Sequence, residues 1–470
     1  MVKDRIISVI LLLFLFAELL TAQNAVNISG IAPGAAGKKI RLVVYDDQVS
    51  GIHRNLAGTV ADTGSRFSIS TSISSTCMAL LYIDDFIAEL YLEPSKHYFL
   101  EIDPENYDNI IETSASMFQT KTLTVNFPEA GNMELNLLVY DFNILYSDFV
   151  ELNFRKLYQR SDKGALDTFK LMLKNRYEGV ENPFFNDIVA YRLAALEFIS
   201  RRIGKEEVVK RYFNPEAIKY DNPGYMEFFI TFFEGYATMA SAQIKQRELY
   251  DAVNIHRNYL SLFNALGSDS LLQNDLLREL VMLVTLKNMY YTQGYNRNGI
   301  LAILSEISEQ SKIKKHKVIA ANLIKLFMRL QPGTKAPPFS LKDDKGDFHN
   351  LSEYKGRYVY LTFWATWCTS CEAEFELIKT VNEKYKDKIV FVSISADRHF
   401  MQMQYFLKSR SFPWTFLHFN GDYELLENYK IKAVPFYVLI DPEGNIKEYP
   451  AKNPIYNLDS YFDKLLSSGK

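Results

Sequence analysis

The 470-residue sequence has only three cysteines, too few to staple a disulfide scaffold. Its fold must therefore come from hydrophobic cores. An excess of charge is missing as well, because 53 Lys and Arg face 56 Asp and Glu. With a formal net charge of −3 and no long basic run, nothing predicts a nucleic-acid partner. No repeat of solenoid period stands out, which argues against an array fold. Histidines are few, and His97 has no second ligand at a workable spacing, so no metal site is expected. Length is what the chain does have. It exceeds what one core usually supports, and about two to four domains are expected.

The scarce residues concentrate in one stretch, Phe363-Trp364-Ala365-Thr366-Trp367-Cys368-Thr369-Ser370-Cys371, which holds two of the three cysteines and two of the three tryptophans. An apolar run, Tyr358 to Phe363, precedes it, and a helical pattern follows. A strand feeding a helix that opens with a thiol suits disulfide exchange, because the positive end of the helix favours thiolate. The spacing puts Cys371 about one turn beyond Cys368, within reach of a disulfide. Half a zinc site is the other reading of such a pair, but no second Cys pair or paired His follows. Cys77, alone before the apolar run Met78 to Tyr82, reads as a buried, inert thiol.

The first residues look like an address. Lys3 and Arg5 precede an apolar run from Ile6 to Leu20, and Thr21-Ala22 follow. That layout predicts a signal peptide over residues 1–22, with cleavage after Ala22 or Gln23. An uncleaved membrane anchor is the alternative, although the run is short and contains Glu18. The mature protein is expected to be exported.

Three regions follow. Residues 24–126 show short alternating runs between turn residues, including Ile40 to Tyr45, Phe67 to Ser70, Met78 to Ile83 and Phe86 to Leu92. They predict a small β-sandwich-like domain. Residues 130–331 change to helical spacing and predict an irregular α-helical domain. Its helices are expected over 135–152, 165–177, 184–203, 224–242, 247–266, 271–292, 298–311 and 317–330. Breaks fall at Asn182-Pro183, Asn214-Pro215, Asn222-Pro223 and Gly267-Ser268-Asp269, and several of these supply the Asn or Asp that caps the next helix. The pairs Phe228-Phe229, Phe232-Phe233 and Tyr290-Tyr291 read as core, and the Lys312 to Lys317 cluster, with His316 inside it, as a solvated junction. Residues 332–470 read strand–helix–strand, then helix, strand hairpin and closing helix, the α/β thioredoxin arrangement.

Motifs make that last reading specific. Gly333-x-x-Ala336-Pro337-x-Phe339, Asp344-x-Gly346, the Trp-Cys-x-x-Cys stretch, Ala433-Val434-Pro435 and Leu439-Ile440-Asp441-x-x-Gly444 resemble the TlpA/ResA-like thioredoxins of the bacterial envelope. Residues 24–331 resemble, more distantly, a Bacteroidetes-type N-terminal extension. The resemblance implies an exported thiol–disulfide oxidoreductase without a bound cofactor. It would exchange disulfides and thiols of exported proteins, in the reducing direction, with a membrane electron donor or acceptor. Cys368, exposed at the helix start, would be the nucleophile and Cys371 the resolving thiol of a redox-active disulfide. Glu374 would carry the proton. Trp367, Val434 and a cis Pro435 would meet the substrate segment.

The chain departs from the family at several places. Thr369 and Ser370 stand where a proline is frequent, and such positions help set the reduction potential. Glu372 replaces a frequent basic residue, and its charge would oppose thiolate if it pointed at the site. Glu376 replaces a helix-kinking proline, so a straighter helix is expected. Thr362 occupies the place of the buried acid in thioredoxin itself. Two other functions compete. One is an envelope binding or scaffold protein whose thioredoxin domain is a sensor or docking module. The other is a thiol peroxidase, which on this scaffold carries Pro and Thr seven and three residues before its cysteine. Leu361 and Ala365 stand there instead.

Overall fold

The computed structural model describes residues 24–103, 121–159, 164–213 and 218–467. The expected signal peptide lies outside the described residues. Among these residues, no helix is long and apolar enough to cross a membrane. The chain forms two compact units, one built chiefly from residues 24–327 and one chiefly from Met328 onward.

In the first unit two sheets come first. One runs in the order Arg66–Ser72, Ala25–Ile31, His97–Ile102, Val125–Asn126, with the middle pair parallel. Alternation explains its strands: Phe67 and Ile69 point inward while Ser68 and Ser70 face out. The other sheet carries His53–Val60, Lys39–Tyr45, Cys77–Ile83 and Phe86–Leu92. His53–Val60 shows no clear apolar alternation in the sequence because it is an edge strand with no fully buried residue. Cys77 opens its strand rather than preceding it and is half-buried rather than buried; desolvation, followed by the nearby Asp221 charge, pushes its thiol up to about 11.

Helices occupy the rest of this unit. Asn182 and Asn222 cap the helices Pro183–Ile199 and Pro223–Phe233, each with proline in the first turn. Two expected helices are shorter than their apolar patterns. The span 224–242 stops at Phe233 and Gly235 takes a φ of +66° before a separate π turn. The span 247–266 breaks where Arg257 turns left-handed and Asn258 caps a new helix, Tyr259–Leu266. The helix Lys205–Tyr212 escapes periodicity because only Val208 and Val209 are buried.

Phe228, Phe229, Phe232 and Phe233 are core, gathered round the buried Phe213. Tyr290 stacks on Phe327 at 3.8 Å, but Tyr291 is exposed and touches that ring only by an edge. His316 does not lie in a solvated junction. It is fully buried, because the helix Lys314–Met328 sets it on the same face as Ile319, Ala320 and Leu323. Its Nδ1 meets Glu279 at 2.8 Å and its Nε2 meets the Tyr220 hydroxyl at 2.9 Å.

The second unit is a thioredoxin-like α/β fold around one seven-stranded sheet. Its order is Phe348–Asn350, Ser340–Asp343, Thr415–His418, Ile389–Ser395, Tyr358–Trp364, Phe436–Ile440, Ile446–Glu448. The three strands not expected are short, of three or four residues each. Tyr358–Trp364 is central and buried on both faces. Val359, Leu361 and Phe363 enter one core, and Tyr360 and Trp364 enter the other. The helix Thr369–Tyr385 covers the second face with Phe375, Ile378 and Val381, and it runs unbroken past Glu376.

Candidate active site

The site sits where the central strand ends. Tyr358–Trp364 pairs parallel with Ile389–Ser395 and antiparallel with Phe436–Ile440. After Trp364 the chain turns, closed by the Cys368 N–H donating to the Ala365 carbonyl at 3.0 Å. Cys368 is then the cap of the following helix, where its Sγ accepts the Cys371 N–H at 3.2 Å. The Ser370 hydroxyl lies 3.4 Å from the same sulfur. These groups are the ones that stabilise a thiolate at a helix start.

Cys368 and Cys371 are joined as a disulfide. Cys368 is less exposed than the sequence led us to expect, at 6%, because both cysteines belong to the apolar cluster of Trp364 and Phe375. Cys371 is wholly buried, so what access exists belongs to Cys368. Trp367, by contrast, is 38% exposed beside it in the chain.

Antiparallel pairing sets Phe363 opposite Phe436. Continued by one residue, that register brings Pro435 level with Trp364. The Val434–Pro435 bond is cis, and Val434 packs against the cluster that contains both cysteines. Strand pairing thus brings residues some seventy positions apart to one end of the sheet.

Glu374 lies three residues beyond Cys371 on the same helix face and is buried. The Tyr437 hydroxyl donates to its Oε2, and Asn453 Nδ2 donates to its Oε1 at 3.1 Å. Burial, then the neighbouring Tyr360 and the bond to Glu374, drive the Tyr437 phenol far above its ordinary range. Tyr437 therefore stays protonated and remains a donor. Neither Tyr437 nor Asn453 stood out in the sequence. Only the position of Tyr437, two residues after Pro435 in an apolar strand, could have hinted at it.

Glu372 does not bear on the sulfurs alone. It pairs with Arg410 through two guanidinium nitrogens, and Arg410 lies over the Phe406 ring at 4.0 Å. Its charge is thus balanced by a residue 38 positions away. Thr362 is buried in the strand between Ser393 and Tyr437, and no carboxylate replaces it there. At the two places where a peroxidase loop would need Pro and Thr, Leu361 and Ala365 are buried apolar side chains. Among the described residues no group of three or more His, Cys, Asp or Glu is placed to hold a metal.

A thioredoxin-like unit with a disulfide-forming pair at the start of its first long helix defines a class, the thiol–disulfide oxidoreductases. Comparison with known proteins agrees. The Redoxin family model matches residues 331–464. The Bacillus subtilis thioredoxin-like protein YneN is 30% identical over 122 residues, which cover 25% of this chain and 71% of that protein. The Bacillus cereus thiol–disulfide oxidoreductase ResA is 30% identical over 121 residues, covering 26% and 69%. Among solved structures, the thioredoxin domain of a Bacteroides vulgatus thiol–disulfide oxidoreductase is 27% identical, with 28% of this chain and 97% of that chain covered and a TM-score of 0.26. The chain belongs to the TlpA/ResA-like thiol–disulfide oxidoreductases, and it is a thioredoxin-like enzyme.

Proposed function

We propose that this enzyme is exported by its N-terminal signal segment and reduces disulfides of other exported proteins in the periplasm or cell envelope. Residues 332–470 form its catalytic domain, preceded by a β-sandwich-like part over 24–126 and a helical part over 130–331. Cys368 attacks the substrate disulfide, and the substrate's leaving thiolate takes up a proton. Cys371 then attacks the mixed disulfide, releasing the second substrate thiol and leaving Cys368–Cys371 oxidised. Glu374 takes the proton from Cys371 in that step, held for it by Tyr437 and Asn453. Trp367, Val434 and Pro435 receive an extended substrate segment, with backbone pairing along Val434. A membrane protein returns the electrons, and no bound cofactor takes part.

The observation that carries this reading is the asymmetry of the pair. Cys368 caps the helix and keeps some access, whereas Cys371 is sealed in the core. Insulin reduction by the purified protein tests it. Wild type must be much faster than Cys368→Ala, and equal rates would sink the enzymatic role of this pair.

A binding role for the first unit has one observation of its own. A cavity of about 710 Å³ is lined by Tyr259, Phe263, Glu279, Glu306, Ile307 and Ile313. On that reading the thioredoxin domain senses or docks, and blocking the cavity with Ile313→Trp changes partner capture while insulin reduction is unaltered. Capture unaffected by Ile313→Trp counts against it.

A further inference from the structure

The turn that delivers Cys368 is held by a carboxylate from the neighbouring strand. Parallel register sets Trp364 opposite Ser395, so Thr366 and Asp397 meet two residues later. Asp397 is 1% exposed. Its Oδ1 accepts the Thr366 N–H at 2.9 Å and the Thr366 hydroxyl at 2.8 Å. Its Oδ2 accepts the same N–H at 3.1 Å and the Ser395 hydroxyl at 2.6 Å. The Asp397 N–H donates to Ser395 Oγ at 3.1 Å, and its carbonyl meets His418 Nε2 at 2.7 Å. Thr366 lies inside the turn that the Cys368 N–H closes onto Ala365. A buried carboxylate is therefore tied directly to the turn that ends at the first cysteine.

We infer that Asp397 is a positioning residue that fixes this turn and whose negative charge makes the cysteine pair a stronger reductant. The backbone N–H of Thr366 and the hydroxyls of Thr366 and Ser395 all bond to this carboxylate. Thr366, which Asp397 holds, is two residues before Cys368, and in a poorly screened interior a like charge disfavours thiolate. Destabilising the thiolate favours the disulfide, so the reduced pair gives up its electrons more readily. The helix start and the Cys371 N–H act in the opposite sense on Cys368. The other titratable or charged groups around the two residues are His418, which packs against Asp397, Arg398 and His399, which follow it, Glu374, and Glu372 with its partner Arg410.

The inference rests on Cys368–Cys371 being the exchanging couple. Full-length wild type and Asp397→Asn are equilibrated with reduced and oxidised glutathione. Two glutathione thiols supply two electrons and two protons, the protein disulfide becomes a dithiol, and glutathione disulfide forms. In parallel, Cys368 alkylation by iodoacetamide is followed against pH in the reduced proteins. Folded Asp397→Asn should shift the equilibrium toward dithiol roughly threefold, or ~14 mV for a two-electron couple. Its alkylation midpoint should fall to lower pH.

An unchanged potential and midpoint in folded Asp397→Asn, or movement the other way, overturns the inference. Should that variant fail to fold, Ser395→Ala carries the test. It strips one donor from the same carboxylate, so the midpoint must rise, and a midpoint that stays put or falls overturns the inference. Absence of any redox transition in wild type overturns the couple itself, and this inference with it. A normal wild-type transition with no effect of Asp397→Asn removes only the inference.

Discussion

Both units bury polar groups densely, yet only one of them is arranged for chemistry. In the first unit Glu279 accepts from the Tyr259 hydroxyl at 2.9 Å, from Ser311 and from His316. Asn136 brackets a strand, accepting the Tyr91 N–H at 2.6 Å and donating to the Tyr91 carbonyl at 2.9 Å. Asn322 donates to Asp46 and Asp47. Each of these clusters satisfies itself and fixes one packing arrangement. In the second unit the polar groups surround a bond that can be exchanged. Thr366, Asp397, Glu374, Tyr437 and Asn453 all lie on the turn and helix of the cysteine pair or reach toward them. Buried polarity alone therefore does not mark a site. A replaceable covalent bond at its centre does.

The comparison breaks most readily at the cysteines. Cys368→Ala should lower insulin reduction on the order of 10³-fold, because the remaining thiol of the pair, Cys371, is sealed in the core. Glu374→Gln comes next and should slow turnover roughly tenfold to a hundredfold, read from stopped-flow decay of the mixed disulfide. In the first unit Asn136→Ala should cost ~2 kcal/mol in urea unfolding by stranding both polar groups of Tyr91, with the insulin rate of the folded protein unchanged. A similar loss of exchange in Asn136→Ala would erase the contrast between the units.

Acidification should separate the units by their windows. Burial above all holds His418 below its ordinary value of 6.5. Its folded form resists protonation, so its contribution to the stability of the second unit is fully present above about pH 6.5 and is lost as pH falls below it. For Glu279, burial opposes the charge, but the hydrogen bonds from His316 and Ser311 outweigh it and the pKa lies below 4.5. Its contribution is present above about pH 4.5 and is lost as pH falls through the folded value. Hydrogen exchange against pH should show the second unit loosening first, with Glu279→Gln flattening only the lower window. The smallest effect belongs to Arg410→Ala. It frees a half-exposed Glu372, and Cys368 alkylation should change less than about twofold.

How legible the molecule was depends on how local each signal is. The strand, turn, cysteine pair and helix are consecutive, and apolar spacing with the Cys-x-x-Cys motif was enough to place them. Pro435 came through family resemblance alone. Asp397 and Asn453 carry no local signal, and Tyr437 only its place two residues after Pro435, because strand register or a distant loop brings them to the site. The Glu372–Arg410 pair was hidden for the same reason, since it joins the helix Thr369–Tyr385 to the loop that follows Lys408. His316 was misread because four lysines surround it in sequence, while helix geometry turns it inward. The helices near Gly235 and Arg257 ended early through single left-handed residues, which an apolar stripe does not report.

The central claim is that Cys368 and Cys371 form a reducing couple. The reduction potential of the wild-type pair, from equilibration with glutathione or reduced thioredoxin, tests it most directly. The account predicts one two-electron transition near thioredoxin's ≈ −270 mV. No transition, or one near the strongly oxidising ≈ −120 mV, would contradict it.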